Sequence, residues 1–130
     1  MTITVPSPSS GSLHRVRYGL MTALVREEGR RTVVVLRGEA DMSTTSVPSE
    51  AMSWVIASRT GDVVIDLAEL EFIDSATVHV LADAQQLLER AGRTVTFRSP
   101  SRLAARVLHA FALSDRIEAR EEMQPVTAGM

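Results

Sequence analysis

Val63-Val64-Ile65-Asp66-Leu67, followed after a short spacer by Phe72-Ile73-Asp74-Ser75, is the stretch that decides the fold. Five residues rich in β-branched side chains, with one acid among them, read as a strand in a covered sheet. Asp74-Ser75 then stands where a strand feeds a helix. Val80, Leu81, Ala84, Leu87, Leu88 and Ala91 come next at three- and four-residue spacings, which predicts one long helix stopped by Gly92. Strand, spacer, cap and helix form half of a strand–helix–strand unit. The other half is Thr94-Val95-Thr96-Phe97, whose alternation predicts the returning strand.

On the N-terminal side, Thr32-Val33-Val34-Val35-Leu36 is continuously apolar and predicts a strand buried on both faces. Leu20 to Arg26 predicts the strand before it. Glu28-Gly29-Arg30 supplies the turn, making the two an antiparallel hairpin. Gly38 to Ser46 reads as a polar loop. The next element is a helix, beginning at Val47 or Pro48 because proline fits only a first turn, and running to Arg59 with Thr60-Gly61 behind it. Ser99-Pro100 predicts a third helix, with serine as cap and Leu103, Val107, Leu108 and Phe111 as its buried stripe. Leu113 to Ile117 closes the domain, with room for a short edge strand. The order β-β-α-β-α-β-α needs parallel pairing with right-handed crossovers, plus one antiparallel hairpin. The expected fold class is therefore α/β, a mixed four- to five-stranded sheet with helices packed against it.

One domain of ordinary size fits 130 residues, 45% of them apolar. Residues 1–18, which include Ser7-Pro8-Ser9-Ser10-Gly11, are expected to be a flexible arm, with a hairpin-extending strand over Thr2–Val5 left open. Residues 19–120 are expected to be the folded domain and 121–130 a flexible tail. The absence of cysteine excludes disulfides, thiolate metal sites and cysteine nucleophiles. All 14 basic residues are arginine, so lysine Schiff-base chemistry and P-loop lysines are excluded too. A net charge of −2 points away from direct nucleic-acid binding and from a membrane surface. Residues 1–12 have neither the basic nor the apolar region of a signal peptide, and no run of about 18 apolar residues could span a bilayer. A cytoplasmic location is the expectation.

Two polar clusters could carry chemistry. Asp74-Ser75 lies at a helix start, where unpaired N–H groups and the helix dipole favour an anion. It reads either as a plain helix cap or as a hydroxyl placed to receive a phosphate. Gly38-Glu39-Ala40-Asp41 closes the second strand, at the same sheet edge as Asp74 if the two strands run parallel. Its acids read as solvated loop carboxylates, as Mg²⁺ ligands or as an acid–base pair. A hydrolase is rejected, because residues 72–76 lack the G-x-S-x-G elbow and His79 lies one helical turn past Ser75. His14 and His109 have no companions at metal-ligand spacing. No glycine-rich phosphate loop is present, and no cofactor is implied. Arg102 and Arg106 read as a solvated face.

Together these segments resemble the STAS domain of bacterial anti-sigma factor antagonists, from about Leu20 to Ala119. Leu36-Arg37-Gly38-Glu39-Ala40-Asp41 is similar to the family's V-x-G-E-L-D. Val64-Ile65-Asp66-Leu67 through Phe72-Ile73-Asp74-Ser75 is similar to its V-x-D-L-x-x-V-x-F-I-D-S-S-G-L. Ser99-Pro100, Arg106-Val107-Leu108 and Ala112-Leu113 are similar to its last helix. The resemblance implies phosphorylation on Ser75, and partner contacts through Glu39, Asp41, Asp74, Ser75, Ala76 and Thr77. It implies an anti-sigma factor serine/threonine kinase as partner, bound by the unphosphorylated form so that the sigma factor is freed, and a serine phosphatase that resets the switch. It implies no enzymatic activity. The family's Ser-Gly after the phosphoacceptor is here Ala76-Thr77, which bears on kinase docking and on phosphorylation itself. The alternatives are a STAS scaffold or ligand-binding module that does not switch, a small enzyme using Asp41, Asp74 and Ser75, and phosphotransfer from His79.

Overall fold

A computed structural model describes residues 12–118 and, as backbone, the strand Ile3–Val5. The strands are β1 (Ile3–Val5), β2 (Ser12–Tyr18), β3 (Met21–Glu28), β4 (Arg31–Ala40), β5 (Val63–Ile73) and β6 (Val95–Arg98). They form one sheet in chain order, antiparallel from β1 to β4 and parallel from β4 to β6. The helices are α1 (Ser46–Ser58), α2 (Ser75–Arg90) and α3 (Arg102–Ala110). The expected mixed sheet with helices against it is present.

The sheet is wider than expected because part of the supposed arm belongs to it. Ser12–Tyr18 pairs with β3, and Ile3–Val5 pairs with Arg15–Arg17. Val16 is fully buried, and His14 stacks flat on Trp54 of α1 with ring centroids 4.6 Å apart. The rest of the expected arm, and the expected tail over 121–130, lie outside the described residues.

Pleating gives the sheet two different faces. Ala23, Val25, Val34, Leu36, Val63, Ile65, Leu67, Val95 and Phe97 point one way, into a single core with Val47, Ala51, Met52 and Val55 of α1, Val78, Leu81 and Leu88 of α2, and Ala104 and Leu108 of α3. Val33, Val35 and Val64 point the other way and form a separate small cluster, joined among the described residues only by half-buried Leu24. The two-sided burial expected for β4 is thus present, although α1, α2 and α3 pack on one side.

Several element boundaries differ from expectation. β4 runs on to Ala40 and β5 to Ile73, because the register pairs Glu39 with Phe72 and Ala40 with Ile73. A segment that looks polar in sequence remains strand when its neighbour supplies the ladder. Ser99 is not the cap of α3. It adopts a left-handed φ of 56°, and Ser101 caps instead, its Oγ accepting from the Ala104 N–H at 3.1 Å. Leu103, expected in the buried stripe, is exposed; Ala104 and Leu108 are the buried residues of α3. The closing segment forms a 3-10 turn over Ser114–Arg116 and a single parallel bridge from Ile117 to Phe97.

Candidate functional site

The ends of β4 and β5 bring the two polar clusters together. The Asp74 N–H donates to the Ala40 carbonyl at 3.0 Å, so Glu39-Ala40-Asp41 and Phe72-Ile73-Asp74 leave the sheet side by side. Each acid then caps a helical segment. Asp41 caps a 3-10 turn, Met42–Thr44, that leads into α1. Its Oδ1 accepts from the Ser43 N–H at 2.9 Å and the Ser43 hydroxyl at 2.6 Å, while its own N–H donates to Thr44 Oγ1 at 3.0 Å. These bonds, the Ser43 hydroxyl first, hold the Asp41 carboxyl below the usual carboxylate range, so it is anionic at neutral pH. Asp74 caps α2, its Oδ1 accepting from the Thr77 N–H at 3.0 Å.

Ser75 is the first residue of α2 and is exposed; Ala76 beside it is half-buried. Thr77 differs from expectation. It is fully buried, with a hydroxyl that has no partner among the described residues. Its side chain is therefore withdrawn from the surface where a partner would dock. The β-branched residue that replaces the family's glycine sits in the core and does not stand in front of Ser75. His79 is exposed, 3.7 Å from Asp83 and edge-on to the Phe111 ring. No ion pair among the described residues involves Glu39, Asp41 or Asp74. No group of three or more acidic or histidine side chains among those residues is placed to hold a metal ion.

The structure adds residues that the sequence reading missed. The β2–β3 turn folds against the end of β4, where the Glu39 N–H donates to the Leu20 carbonyl at 3.0 Å. Gly38 permits this: its φ is +95°, and a Cβ there would lie 1.9 Å from the Leu20 oxygen. Tyr18, Leu20, Glu39, Asp41 and Ser43 line a cavity of about 390 Å³. Leu20, Met42 and Phe72 all belong to this end of the molecule and are exposed, Met42 by 76%. Contiguous exposed apolar surface marks interaction sites, and these three side chains make this end a candidate for one. Their sequence signal was weak, since Leu20 reads as strand and Met42 lies in a segment that reads as a polar loop.

The comparisons with known proteins agree with this geometry. The family model described as "Mlab, STAS domain" matches residues 23–123. The anti-sigma-F factor antagonist RsfB of Mycobacterium tuberculosis is 31% identical over 77 residues, which is 59% of this chain and 61% of RsfB. The aligned stretch therefore spans less than two thirds of that relative. An anti-sigma factor antagonist from Mycobacterium paratuberculosis superposes with a TM-score of 0.64 at 29% identity, over 83% of this chain and 92% of that one. Unphosphorylated SpoIIAA, a Bacillus cell fate determinant, superposes with a TM-score of 0.65 over 83% of this chain and 97% of its own; at 19% identity it speaks to the fold alone. With a family model matching residues 23–123 and solved relatives that superpose on most of its length, the chain belongs to the STAS domain family.

Proposed function

We propose that this protein is an anti-sigma factor antagonist that works by binding, without catalysis, and is switched off by phosphorylation of Ser75. The observation that carries the reading is an exposed serine on the first turn of α2, next to Asp74 and beside the parallel strand end that bears Glu39 and Asp41. In the unphosphorylated state, Ser75 and half-buried Ala76 offer a neutral contact, with Leu20, Met42 and Phe72 as its apolar border. The partner is an anti-sigma factor serine/threonine kinase, and a serine phosphatase restores binding.

A phosphate on Ser75 adds about −1.5 to −2 charges. Asp74 already occupies the Thr77 N–H, so the phosphate is left with the other first-turn amides. No arginine among the described residues is paired with the nearby acids. A partner surface fitted to a neutral hydroxyl then meets a dianion next to carboxylates. Burying such a charge unpaired costs several kcal/mol, and a loss of about 3 kcal/mol weakens binding more than a hundredfold.

Incubation with ATP and the serine-kinase anti-sigma factors of the source bacterium, followed by intact mass and peptide mapping, tests this. One added phosphate on Ser75, absent from Ser75→Ala, is the expected result, with Ser75→Asp binding the kinase at least a hundredfold more weakly. Equal binding by Ser75→Asp would sink the electrostatic switch. The departure at Ala76-Thr77 favours a second reading, a STAS module that binds its partner without switching. No phosphate with any kinase, together with retained binding, would select it.

A further inference from the structure

α1 and α2 leave a groove between them on the outer surface of the helical layer. α1 links β4 to β5 and α2 links β5 to β6, and all three strands are parallel, so the two helices run in the same direction. Ser49, Ser53 and Ile56 of α1 and Val80, Asp83 and Leu87 of α2 line the groove, whose volume is about 190 Å³. Each set recurs at three- and four-residue spacings, so each is one face of its helix. The groove is open where its largest side chains stand. Leu87, part of the apolar stripe that predicts α2, is 53% exposed, and Ile56 is 36% exposed. They come last along their helices and sit together at the end of the groove away from Ser75. Along α2, Ser75 and Leu87 are separated by about 18 Å of helix.

The charges beside Leu87 are of opposite sign and lie on either side of it. Asp83 is one turn before Leu87 and Arg90 one turn after it, on the same face of α2. The Asp83 carboxylate is largely exposed, with His79 at 3.7 Å. Arg90 is exposed, and no carboxylate among the described residues pairs with it. If α2 is laid antiparallel on a second α2 about a two-fold axis beside Leu87, Asp83 of each copy falls opposite Arg90 of the other. The same rotation brings Leu87 next to Leu87 and Ile56 next to Ile56. The short side chains of Ser49 and Ser53 leave room for the helices to approach. A patch that complements itself under a two-fold rotation is the requirement of an isologous dimer.

We propose that the α1–α2 groove is the interface of a two-fold symmetric homodimer, with Leu87 and Ile56 at the axis and an Asp83–Arg90 pair on each side of it. The charge pattern selects a second copy as the occupant. An external acidic or basic helix would satisfy one of the two groups and oppose the other, whereas an antiparallel copy satisfies both. The Ser75 end of α2 stays outside the contact, so the dimer presents two such ends.

Sedimentation equilibrium of the full chain over a wide range of concentration tests this. A reversible monomer–dimer equilibrium is the expected result for the wild type. Leu87→Ser should leave only monomer, with circular dichroism unchanged because the side chain it shortens is half open. Asp83→Arg and Arg90→Asp each set like charges opposite one another and should weaken association about tenfold or more. The double substitution Asp83→Arg/Arg90→Asp exchanges the signs and should return association to within about threefold of wild type. That recovery separates a paired contact from damage to the fold, which a second substitution would not repair. Monomer at every concentration would overturn the dimer. So would a dimer that survives Leu87→Ser, or a double substitution that stays as weak as the single ones. A monomeric wild type whose binding to an anti-sigma factor kinase falls in Leu87→Ser would assign the groove to that partner and likewise reject the dimer.

Discussion

The two ends of the parallel strands treat negative charge in opposite ways. At the base, Glu28 accepts from Arg98 through both carboxylate oxygens, at 2.7 and 3.1 Å, and from Arg31 at 2.8 Å; Glu118 is held by the same two arginines. At the tip, Asp41 and Asp74 are satisfied, among the described residues, by hydroxyls and backbone N–H groups alone. Hydrogen bonds orient the tip acids but bring no opposing charge, so their field reaches outward. The base closes its charges into a network that fastens β3, β4, β6 and the closing segment. The base is closed on itself and the tip is left open, and the exposed apolar residues Leu20, Met42 and Phe72 lie at the tip.

The sharpest way to break the tip without touching a charge is Gly38→Ala. The added methyl meets the Leu20 carbonyl at 1.9 Å, and the backbone φ of +95° suits only glycine. Neither the carbonyl nor the strand can move cheaply, so the expected loss is about 3 kcal/mol or more, read by urea denaturation. The β2–β3 turn should also lift from β4, with faster hydrogen exchange at the Glu39 amide. A loss below about 1 kcal/mol would mean that the tip is not set by this close approach.

Asp74 separates capping from charge. Asp74→Ala removes the acceptor for the Thr77 N–H and should cost about 1 kcal/mol. Asp74→Asn keeps a cap of similar quality and should stay within about 0.5 kcal/mol of wild type. Under the proposed switch, Asp74→Asn should also narrow the affinity gap between the unphosphorylated and Ser75-phosphorylated forms, because one of the charges crowding the phosphate is gone. Thermal unfolding measures the first pair of effects and titration with the kinase the second. An unchanged gap would place the repulsion in the partner rather than at this tip.

What the sequence revealed divides along the same lines. The parallel pairing of β4 with β5 and the placing of Asp41 and Asp74 at one sheet edge were legible, since each apolar run leads into an acid that closes a strand; the register that carries both strands on to Ala40 and Ile73 was not. The strand Ser12–Tyr18 was not. His14, Val16 and Tyr18 face the helices while Arg15 and Arg17 face away, an alternation with period two that overall polarity conceals. The inward position of Thr77 was hidden for a different reason. A threonine in a first turn reads as polar, and only the packing of α2 decides which way it points. Ser99 misled because Ser-Pro imitates a helix start, whereas here the chain turns through a left-handed serine first and Ser101 takes the cap.

The base network yields the smallest effect and the cleanest sign. The side-chain hydrogen bond from Arg98, with the charges of Arg98 and Arg31 added and some burial opposing, lowers the Glu28 carboxyl to about 2. A depressed carboxyl stabilises the fold above its unfolded value, and that contribution disappears as pH falls through the folded value. Acid unfolding should therefore steepen between about pH 4.5 and pH 2. In Glu28→Gln the curve should be flatter across that window and close to wild type in shape above it. Because Glu28 and Arg31 are each more than a third exposed, solvent and salt screen the pair, and the difference should shrink in 0.5 M salt. Partner binding at the tip should not change. If Glu28→Gln altered it, the two ends would be energetically coupled through β4, which begins at Arg31 in the network and ends at Ala40 beside Asp41.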